Sequence, residues 1–118
     1  LDSSQKITAQ LKLLKQISSS LNDAMVIYKG AADFIWNASE LVVVVGGNAG
    51  LTKGGTGDVL AGLITGLAAR QSAPEAARSG ALITKLAAHQ LYQRQGLVYD
   101  TSDLVRQIPL AIKSLSDS

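Results

Sequence analysis

The segment Asn48–Gly66 is the part of the sequence whose residue types and spacing could do chemistry. It reads NAGLTKGGTGDVLAGLITG. Gly54, Gly55 and Gly57 can adopt positive φ, which would let backbone N–H groups converge on one point. A helical pattern begins directly after them at Asp58, so a helix would add its unpaired first-turn N–H groups and the positive end of its dipole. The segment therefore predicts a pocket for an anion, and a phosphate suits it best.

Asp58 is a candidate base beside this predicted pocket. A helix N-terminus stabilises an ionised carboxylate, but the carboxylate would also repel a bound phosphate. A protein that places both groups together has a use for a base next to a transferring phosphoryl group. Ionised Asp58 could accept the proton of a substrate hydroxyl while the glycine N–H groups hold the phosphoryl oxygens. The alternative is a plain strand-to-helix turn that Asp58 caps.

Two better-known phosphate motifs are absent from the sequence. A Walker loop places its lysine after the glycines, whereas Lys53 precedes them here. The dinucleotide fingerprint Gly-x-Gly-x-x-Gly would need a third glycine at the position of Leu60. A Walker-type NTPase and a Rossmann dinucleotide domain are therefore not indicated, and we expect the side chain of Lys53 to be solvated.

Composition narrows the remaining classes of protein. The 118 residues are 47% hydrophobic and 17% charged, which is typical of one globular domain. A net charge of +2 without a basic stripe, and few aromatic residues, argue against nucleic-acid binding. The lack of cysteine excludes thiolate chemistry, and the single histidine, His89, excludes multi-His metal sites and argues against a Ser-His-Asp triad. We expect His89 to be structural, without a catalytic role.

The sequence also bears on the compartment. The longest apolar stretch, Val59–Ala69, is far short of a bilayer span, so we expect no membrane association. No secretory signal opens the chain, and the lack of cysteine fits a reducing compartment. We therefore expect a cytoplasmic protein.

Hydrophobic periodicity predicts a mixed α/β frame for these residues. Apolar residues at spacings of three and four predict a helix over Asp2–Asn22. Short apolar runs predict strands at Met25–Tyr28, Ala32–Trp36 and Leu41–Val45, of which the last two form an antiparallel hairpin. By itself, the Lys-Gly pair that follows Tyr28 is more typical of a surface turn than of a ligand site.

Helices are predicted to follow the glycine-rich segment. One spans Asp58–Arg70, and a second begins after a capping box at Ser72 and ends near Gly96. Thr101-Ser102-Asp103 predicts the cap of a short third helix, with a separate last turn beginning after Pro109. The expected fold class is therefore α/β, with strands followed by a glycine-rich loop and packed helices.

The run GNAGLTKGGTGDVLAGLITGLAA resembles the signature of the ATP- or ADP-dependent NAD(P)H-hydrate dehydratases, a branch of the ribokinase-like superfamily. That signature usually has Pro and Met at the positions of Ala49 and Leu51, and small residues in place of Thr52-Lys53. The residues 26–30 are similar to the strand of that family that ends in Lys-Gly, and residues 100–110 are similar to its C-terminal segment. The resemblance thus covers most of the chain from about residue 24.

This resemblance implies a metabolite-repair reaction. Hydrated NADH or NADPH would be phosphorylated on its added hydroxyl, and loss of phosphate would regenerate the nicotinamide. Asp58 would meet that hydroxyl as the catalytic acid/base, and a turn of Gly55, Thr56 and Gly57 would bind phosphate. The adenine nucleotide would contact Lys29, Gly30, Ala31, Ala32, Asp33 and Gly57. Asp33 stands where the family has a hydroxyl-bearing or small residue.

The resemblance also implies cofactors and partners. ATP or ADP would be used together with Mg2+, although the sequence shows no ligand set for a metal. The chain begins at Leu1 without Met and lacks the part that precedes this region in the longer family members. We therefore expect residues 1–118 to be one partial domain, the C-terminal half of a ribokinase-like domain. We expect the chain to be active only when the N-terminal half completes the domain. We also expect apolar strands that the absent half leaves uncovered, and a homo-oligomer.

Two other functions remain open at this point. The nearest is a ribokinase-like kinase that phosphorylates a small alcohol, since both classes use Gly-x-Gly followed by an acidic or thiol residue. The Asp-Val-Leu continuation at residues 58–60 favours the dehydratase. The second is a non-catalytic fragment that binds nucleotide at most.

Overall fold

A three-stranded antiparallel sheet and four α-helices make up residues 2–117, the part of the chain that the computed structural model describes. None of these helices is long and apolar enough to cross a lipid bilayer. In chain order the elements are α1 (Ser3–Ser20), β1 (Val26–Tyr28), β2 (Ala32–Asn37), β3 (Glu40–Val45), a 3-10 turn (Ala49–Thr52), α2 (Thr56–Leu67), α3 (Ala73–Gln95) and α4 (Thr101–Ser116).

The sheet has the order β1-β2-β3, with both neighbouring pairs antiparallel. The predicted hairpin between β2 and β3 is confirmed, and the pair Asn37–Glu40 closes it around a two-residue turn. Ala38 in that turn has φ of 58°, the left-handed conformation that such tight turns require. The hairpin carries the chain directly into the glycine-rich segment.

One face of the sheet packs against α2 and α3. Ile35 of β2 and Val44 of β3 form a buried cluster with Leu60 of α2 and with Ala77 and Ala81 of α3. Ala77 and Ala81 have small side chains, so α3 can lie close to the sheet and the apolar surfaces of both are buried. A second cluster joins the other end of α3 to α4 and to the loop after β3; it contains Leu51, Ile83, Ala87, Ala88, Leu91, Tyr99, Leu104 and Ala111.

The opposite face of the sheet is only partly covered. α1 lies against β1 and β2, with the side chain of Lys15 placed 5.3 Å from the ring centroid of Trp36. Beyond α1, Tyr28, Val43 and Val45 remain 42%, 41% and 71% exposed. Cross-strand pairing through Phe34 places these three residues on one face, which we call the outer sheet face. The exposed apolar face that the sequence predicts is therefore present in this chain.

The structure corrects the prediction for the last helix. One helix, α4, runs without a break through Pro109, and its N-cap is Asp100 in a capping box with Asp103. Leu104 and Ala111 are buried and Ile108 is partly buried against the same cluster, so packing against α3 overrides the proline. Pro109 is exposed; it removes one backbone hydrogen bond from the helix, and its ring crowds the carbonyl four residues earlier.

Candidate functional site

A cavity of about 640 Å³ lies where the ends of β1 and β3 meet α3. Its walls come from the turn after β1, the loop after β3, the start of α2 and one side chain of α3. The lining residues are Lys29, Gly30, Ala31, Gly46, Gly47, Asn48, Ala49, Leu51, Thr52, Thr56 and Lys85. The lining contains two lysines and no acidic side chain, so its charge is complementary to an anionic ligand.

The start of α2 has the geometry of an anion-binding helix N-terminus. Its N-cap, Gly55, has φ of 90° and ψ of −13°, a left-handed conformation that favours glycine. The first bond of the helix joins the N–H of Val59 to the carbonyl of Gly55 at 3.1 Å. Within residues 2–117 this leaves the N–H groups of Gly57 and Asp58 without a hydrogen-bond acceptor. Both groups are available to an anion in front of the helix.

Gly57 is open on the side where a side chain would project. A Cβ built at Gly57 meets no heavy atom within 4 Å. The absence of a side chain there is not required by packing inside this chain. It leaves room for a ligand to approach the backbone closely.

Thr56 uses its polar groups within the turn. Its hydroxyl lies 2.7 Å from the carbonyl of Leu51 and 2.9 Å from that of Lys53, and its N–H donates to Lys53 at 3.3 Å. The residue is 3% exposed, yet it forms part of the cavity wall. These bonds fix the shape of the turn at residues 54–57, which we call the glycine turn, and they leave Thr56 without a free hydroxyl.

Asp58 lies in the first turn of α2, and its side chain is exposed. The structure brings it to the same helix N-terminus as Gly55, Thr56 and Gly57. Of these four residues only Thr56 lines the cavity, so the carboxylate lies beside the cavity and not in its wall. Within the described part of the chain, no cation pairs with Asp58.

The Lys-Gly turn after β1 divides into two parts. Lys29, Gly30 and Ala31 line the cavity. Ala32 and Asp33 belong to β2 and do not line it. The family resemblance implies that all five contact the adenine nucleotide, and the structure brings only the first three to the cavity.

Lys85 is a cavity residue that sequence reasoning missed. It lies in the middle of α3 and is 5% exposed. Its ammonium is 3.5 Å from the carboxylate of Asp33 and 3.4 Å from each of the carbonyl oxygens of Gly30, Ala31 and Gly46. The signal for it was a lysine among small and apolar residues on a helix, because such a lysine must find partners when the helix is buried.

Asn48 and Tyr99 shape the loop between β3 and the glycine turn. The side-chain oxygen of Asn48 accepts the N–H of Gly50 at 3.0 Å and the hydroxyl of Tyr99 at 2.6 Å. Its amide group donates to the carbonyl of Ala88 on α3 at 2.9 Å. Burial raises the pKa of the Tyr99 phenol above its usual value, because removal from water disfavours the phenolate.

The segment before α4 secures the glycine turn from the other side. The ammonium of Lys53 donates to the carbonyl of Leu97 at 2.8 Å and to that of Tyr99, and it lies 4.7 Å from the centroid of the Tyr99 ring. The hydroxyl of Thr101 donates to the carbonyl of Gly54 at 2.6 Å. Lys53 is exposed, as expected from the sequence, and its ammonium also donates to these carbonyls.

A metal site does not assemble from the side chains of residues 2–117. No group of three His, Asp or Glu side chains there could hold an ion. His89 is exposed on α3 and does not line the cavity. The charged side chains that line the cavity are instead those of Lys29 and Lys85, whose ammonium groups attract an anion and repel a cation.

Comparison with known proteins identifies relatives of this chain. The family model described as NAD(P)H-hydrate dehydratase matches residues 2–110. A bifunctional NAD(P)H-hydrate repair enzyme of Methanocaldococcus jannaschii is 47% identical over 88 residues, which cover 75% of this chain and 18% of the relative. An ADP-dependent (S)-NAD(P)H-hydrate dehydratase of Nitrosopumilus maritimus is 36% identical over 89 residues, covering 75% of this chain and 31% of the relative.

A further ADP-dependent (S)-NAD(P)H-hydrate dehydratase, from Xanthomonas campestris, is 41% identical over 96 residues. The alignment covers 80% of this chain and 32% of that relative. In all three comparisons the chain spans a third or less of the length of the curated relative.

Proposed function

Since the chain belongs to the NAD(P)H-hydrate dehydratase family, we propose that it forms the phosphoryl-binding and acid/base part of an enzyme that dehydrates hydrated NADH or NADPH with ADP or ATP. One observation carries this proposal. The N-terminus of α2 presents two unpaired N–H groups, from Gly57 and Asp58, together with an unpaired carboxylate at Asp58. These are the groups that a phosphoryl transfer to a hydroxyl requires.

Asp58 acts as the base in this proposal. Its exposed carboxylate accepts the proton of the hydroxyl that hydration added to the nicotinamide ring. The hydroxyl oxygen attacks the terminal phosphorus of ADP or ATP, and the bond from that phosphorus to the bridging oxygen breaks, so that AMP or ADP leaves. The N–H groups of Gly57 and Asp58 donate to the phosphoryl oxygens, where negative charge accumulates. Departure of phosphate from the ring carbon, with loss of a proton from the adjacent carbon, then restores the double bond of the dihydronicotinamide. The exposure of Asp58 fits a residue that must meet a large substrate entering from solvent.

The cavity accepts the adenine nucleotide in this proposal, and the nucleotide supplies the phosphoryl group. Lys29, Gly30 and Ala31 offer one ammonium group and a stretch of backbone to its phosphates. A volume of about 640 Å³ lies within the range of roughly 300–1,000 Å³ common for small-ligand sites. The names of two relatives specify ADP as the nucleotide. Ala32 and Asp33 contribute through the position of the turn, since neither lines the cavity.

The proposal assigns Mg2+ no side-chain ligands within residues 2–117. No cluster of metal-ligating side chains exists within residues 2–117, so a magnesium ion would be held by phosphate oxygens, water and groups outside this part of the chain. We assign no step of the reaction to it.

The outer sheet face supports the proposal that residues 1–118 form the C-terminal part of a larger ribokinase-like domain. Tyr28, Val43 and Val45 expose apolar surface on one face of the sheet, where further strands or helices could bury it. The described residues form one continuous body around the two clusters that α3 joins. We therefore propose that the remainder of the domain packs on the outer sheet face and completes the substrate-binding wall.

The test joins this chain to the part of the Nitrosopumilus maritimus dehydratase that lies outside the region of similarity. The joined protein is incubated with NADH hydrate and ADP, and recovery of NADH absorbance is followed. We expect recovery that depends on ADP, and we expect Asp58→Asn to abolish it while leaving the affinity for ADP within about twofold, a difference well under 1 kcal/mol.

Asp117→Asn, which changes an exposed carboxylate at the end of α4, is the matched control and should retain full turnover. Turnover retained by Asp58→Asn would exclude the proposed role of this residue. Phosphorylation of a small alcohol without recovery of NADH would favour the kinase.

A further inference from the structure

A buried ion pair joins Lys85, which lines the cavity that the proposed function assigns to the nucleotide, to Asp33, which does not line it. Asp33 of β2 is 3% exposed and Lys85 of α3 is 5% exposed, and their charged groups are 3.5 Å apart. Resting on that proposed function, we propose that Asp33 and Lys85 are positioning residues, which hold the Lys-Gly turn in the conformation that binds the adenine nucleotide. Neither residue is assigned to a reacting atom.

The contacts of the pair converge on one turn. The carboxylate of Asp33 accepts the N–H of Gly30 at 3.0 Å. The ammonium of Lys85 lies 3.4 Å from the carbonyl oxygens of Gly30 and Ala31. The backbone of the turn is therefore held at its N–H by one partner and at its carbonyls by the other.

Lys85 also connects this turn to a second wall of the cavity. Its ammonium lies 3.4 Å from the carbonyl of Gly46, at the end of β3. The aliphatic part of the side chain lines the space beside Gly47, where a built Cβ would lie 3.4 Å from Cγ of Lys85. One side chain of α3 thus sets the separation of the two strand ends between which the nucleotide would enter.

Neither charge would be stable in this place alone. A buried carboxylate or ammonium without a partner is strongly unfavourable, and removal of one member leaves the other uncompensated. The pair also settles an electrostatic conflict: an unpaired carboxylate at position 33 would repel the phosphates of a nucleotide bound at Lys29. Lys85 neutralises that carboxylate, so the cavity remains favourable for an anion.

The pair and the glycine turn make separable contributions. The contacts of Lys85 reach residues 30, 31, 33 and 46, and none reaches the N–H groups of Gly57 or Asp58. A ligand without adenosine that binds only at the N-terminus of α2 should therefore not depend on the pair. Inorganic phosphate, which carries a single phosphoryl group, is the probe for that site.

The experiment measures binding of ADP and of inorganic phosphate to the 118-residue chain by calorimetry. The variants are Lys85→Met, Asp33→Asn and the double variant, with Lys12→Met on the exposed side of α1 as the control. Asp33→Asn keeps an acceptor for the N–H of Gly30 and removes only the charge. Hydrogen exchange of residues 29–33 is measured on the same proteins without ligand.

We expect each single variant to bind ADP about tenfold more weakly than wild type, or weaker still. The double variant should lose no more ADP affinity than the single variant that binds ADP less tightly, because the two charges act as a unit. The affinity for inorganic phosphate should change less than about twofold, and exchange in residues 29–33 should accelerate in Lys85→Met. Lys12→Met should behave as wild type. A merely structural role would instead lower both affinities in parallel with thermal stability.

Two results would overturn the proposal. Unchanged ADP affinity in both single variants would show that the pair does not position the site. Additive losses in the double variant would show that the two residues do not act together. Failure of the wild-type chain to bind ADP would instead contradict the nucleotide assignment of the proposed function. In that case the hydrogen-exchange measurement still tests the pair, because unchanged exchange of residues 29–33 in Lys85→Met would exclude positioning of the turn.

Discussion

The ammonium of Lys29 donates to the main-chain carbonyl of Leu51 at 2.9 Å, across 22 positions of the sequence. The same carbonyl accepts the hydroxyl of Thr56 at 2.7 Å. One oxygen therefore connects the end of β1 to the start of α2. This contact brings the Lys-Gly turn and the start of α2 to one cavity, which Lys29, Leu51 and Thr56 line.

The charge of Lys29 leads to the first prediction. Lys29→Met should weaken ADP binding about five- to tenfold at low salt, because it removes the cavity cation that has no acidic partner among the described residues. The difference between variant and wild type should shrink as salt is raised, since ions screen the attraction between a half-buried lysine and phosphate.

Calorimetry at two ionic strengths measures this effect, with Lys113→Met on α4 as the control. An equal loss at low and high salt would indicate that Lys29 acts through packing and not through its charge.

The glycines at the start of α2 should respond in opposite directions to substitution by alanine. Gly55 has φ of 90°, and a Cβ there would lie 3.2 Å from Cγ2 of Thr101, so Gly55→Ala should destabilise the chain by roughly 1 kcal/mol or more. Gly57 lies in the helix with open space around it, so Gly57→Ala should be neutral or stabilising by up to about 1 kcal/mol.

Urea unfolding measures these stabilities, and titration with pyrophosphate measures the affinity of the start of α2 for an anion. Although Gly57→Ala does not reduce stability, it should weaken pyrophosphate binding, because its methyl group occupies the space in front of the free N–H groups. Tight pyrophosphate binding by a stable Gly57→Ala chain would mean that the anion does not bind at this turn.

Tyr99 gives a prediction about alkaline pH. Burial raises the pKa of its phenol in the folded chain above 10.0, so the unfolded chain loses this proton at a lower pH than the folded chain. The stabilisation is fully present below pH about 10 and is lost as pH rises through the folded pKa. The free energy of unfolding should therefore fall more steeply above pH about 10 in wild type than in Tyr99→Phe.

Denaturant unfolding at several alkaline pH values tests this difference. Tyr92→Phe, at a tyrosine that is 50% exposed, is the control and should keep the wild-type slope. Identical slopes for wild type and Tyr99→Phe would show that Tyr99 titrates in the folded chain as it does in water.

The outer sheet face gives the fourth prediction. In the joined protein described above, Val43→Lys with Val45→Lys should prevent the two parts from packing together, because two charges would be buried in the interface. We expect loss of dehydratase activity and faster proteolysis between the two parts. Val98→Lys, at a valine that is 82% exposed away from the sheet, should leave both properties unchanged. Full activity of the doubly substituted protein would mean that another surface receives the rest of the domain.

Local patterns in the sequence accounted for most of the fold. The hairpin of β2 and β3 was predictable because two apolar strands flank a short polar turn. The beginning of α3 at Ser72 and its end at Gly96 were predictable because caps are local hydrogen-bond arrangements. The break at Pro109 was mispredicted because the choice between one helix and two depended on packing against α3, which no local pattern contains.

The amino-acid sequence alone determined the glycine turn, the helix that follows it and the position of Asp58 at its head, because backbone freedom and helix termini are properties of neighbouring residues. Only the tertiary structure decided that Lys85, more than fifty positions from Gly30 and Ala31, lies behind them and pairs with Asp33. It also decided that Lys53 is held by carbonyls near α4. The reason is that a buried ammonium takes whichever carbonyls and carboxylates the packed elements bring to it, and that arrangement exists only once the chain has folded.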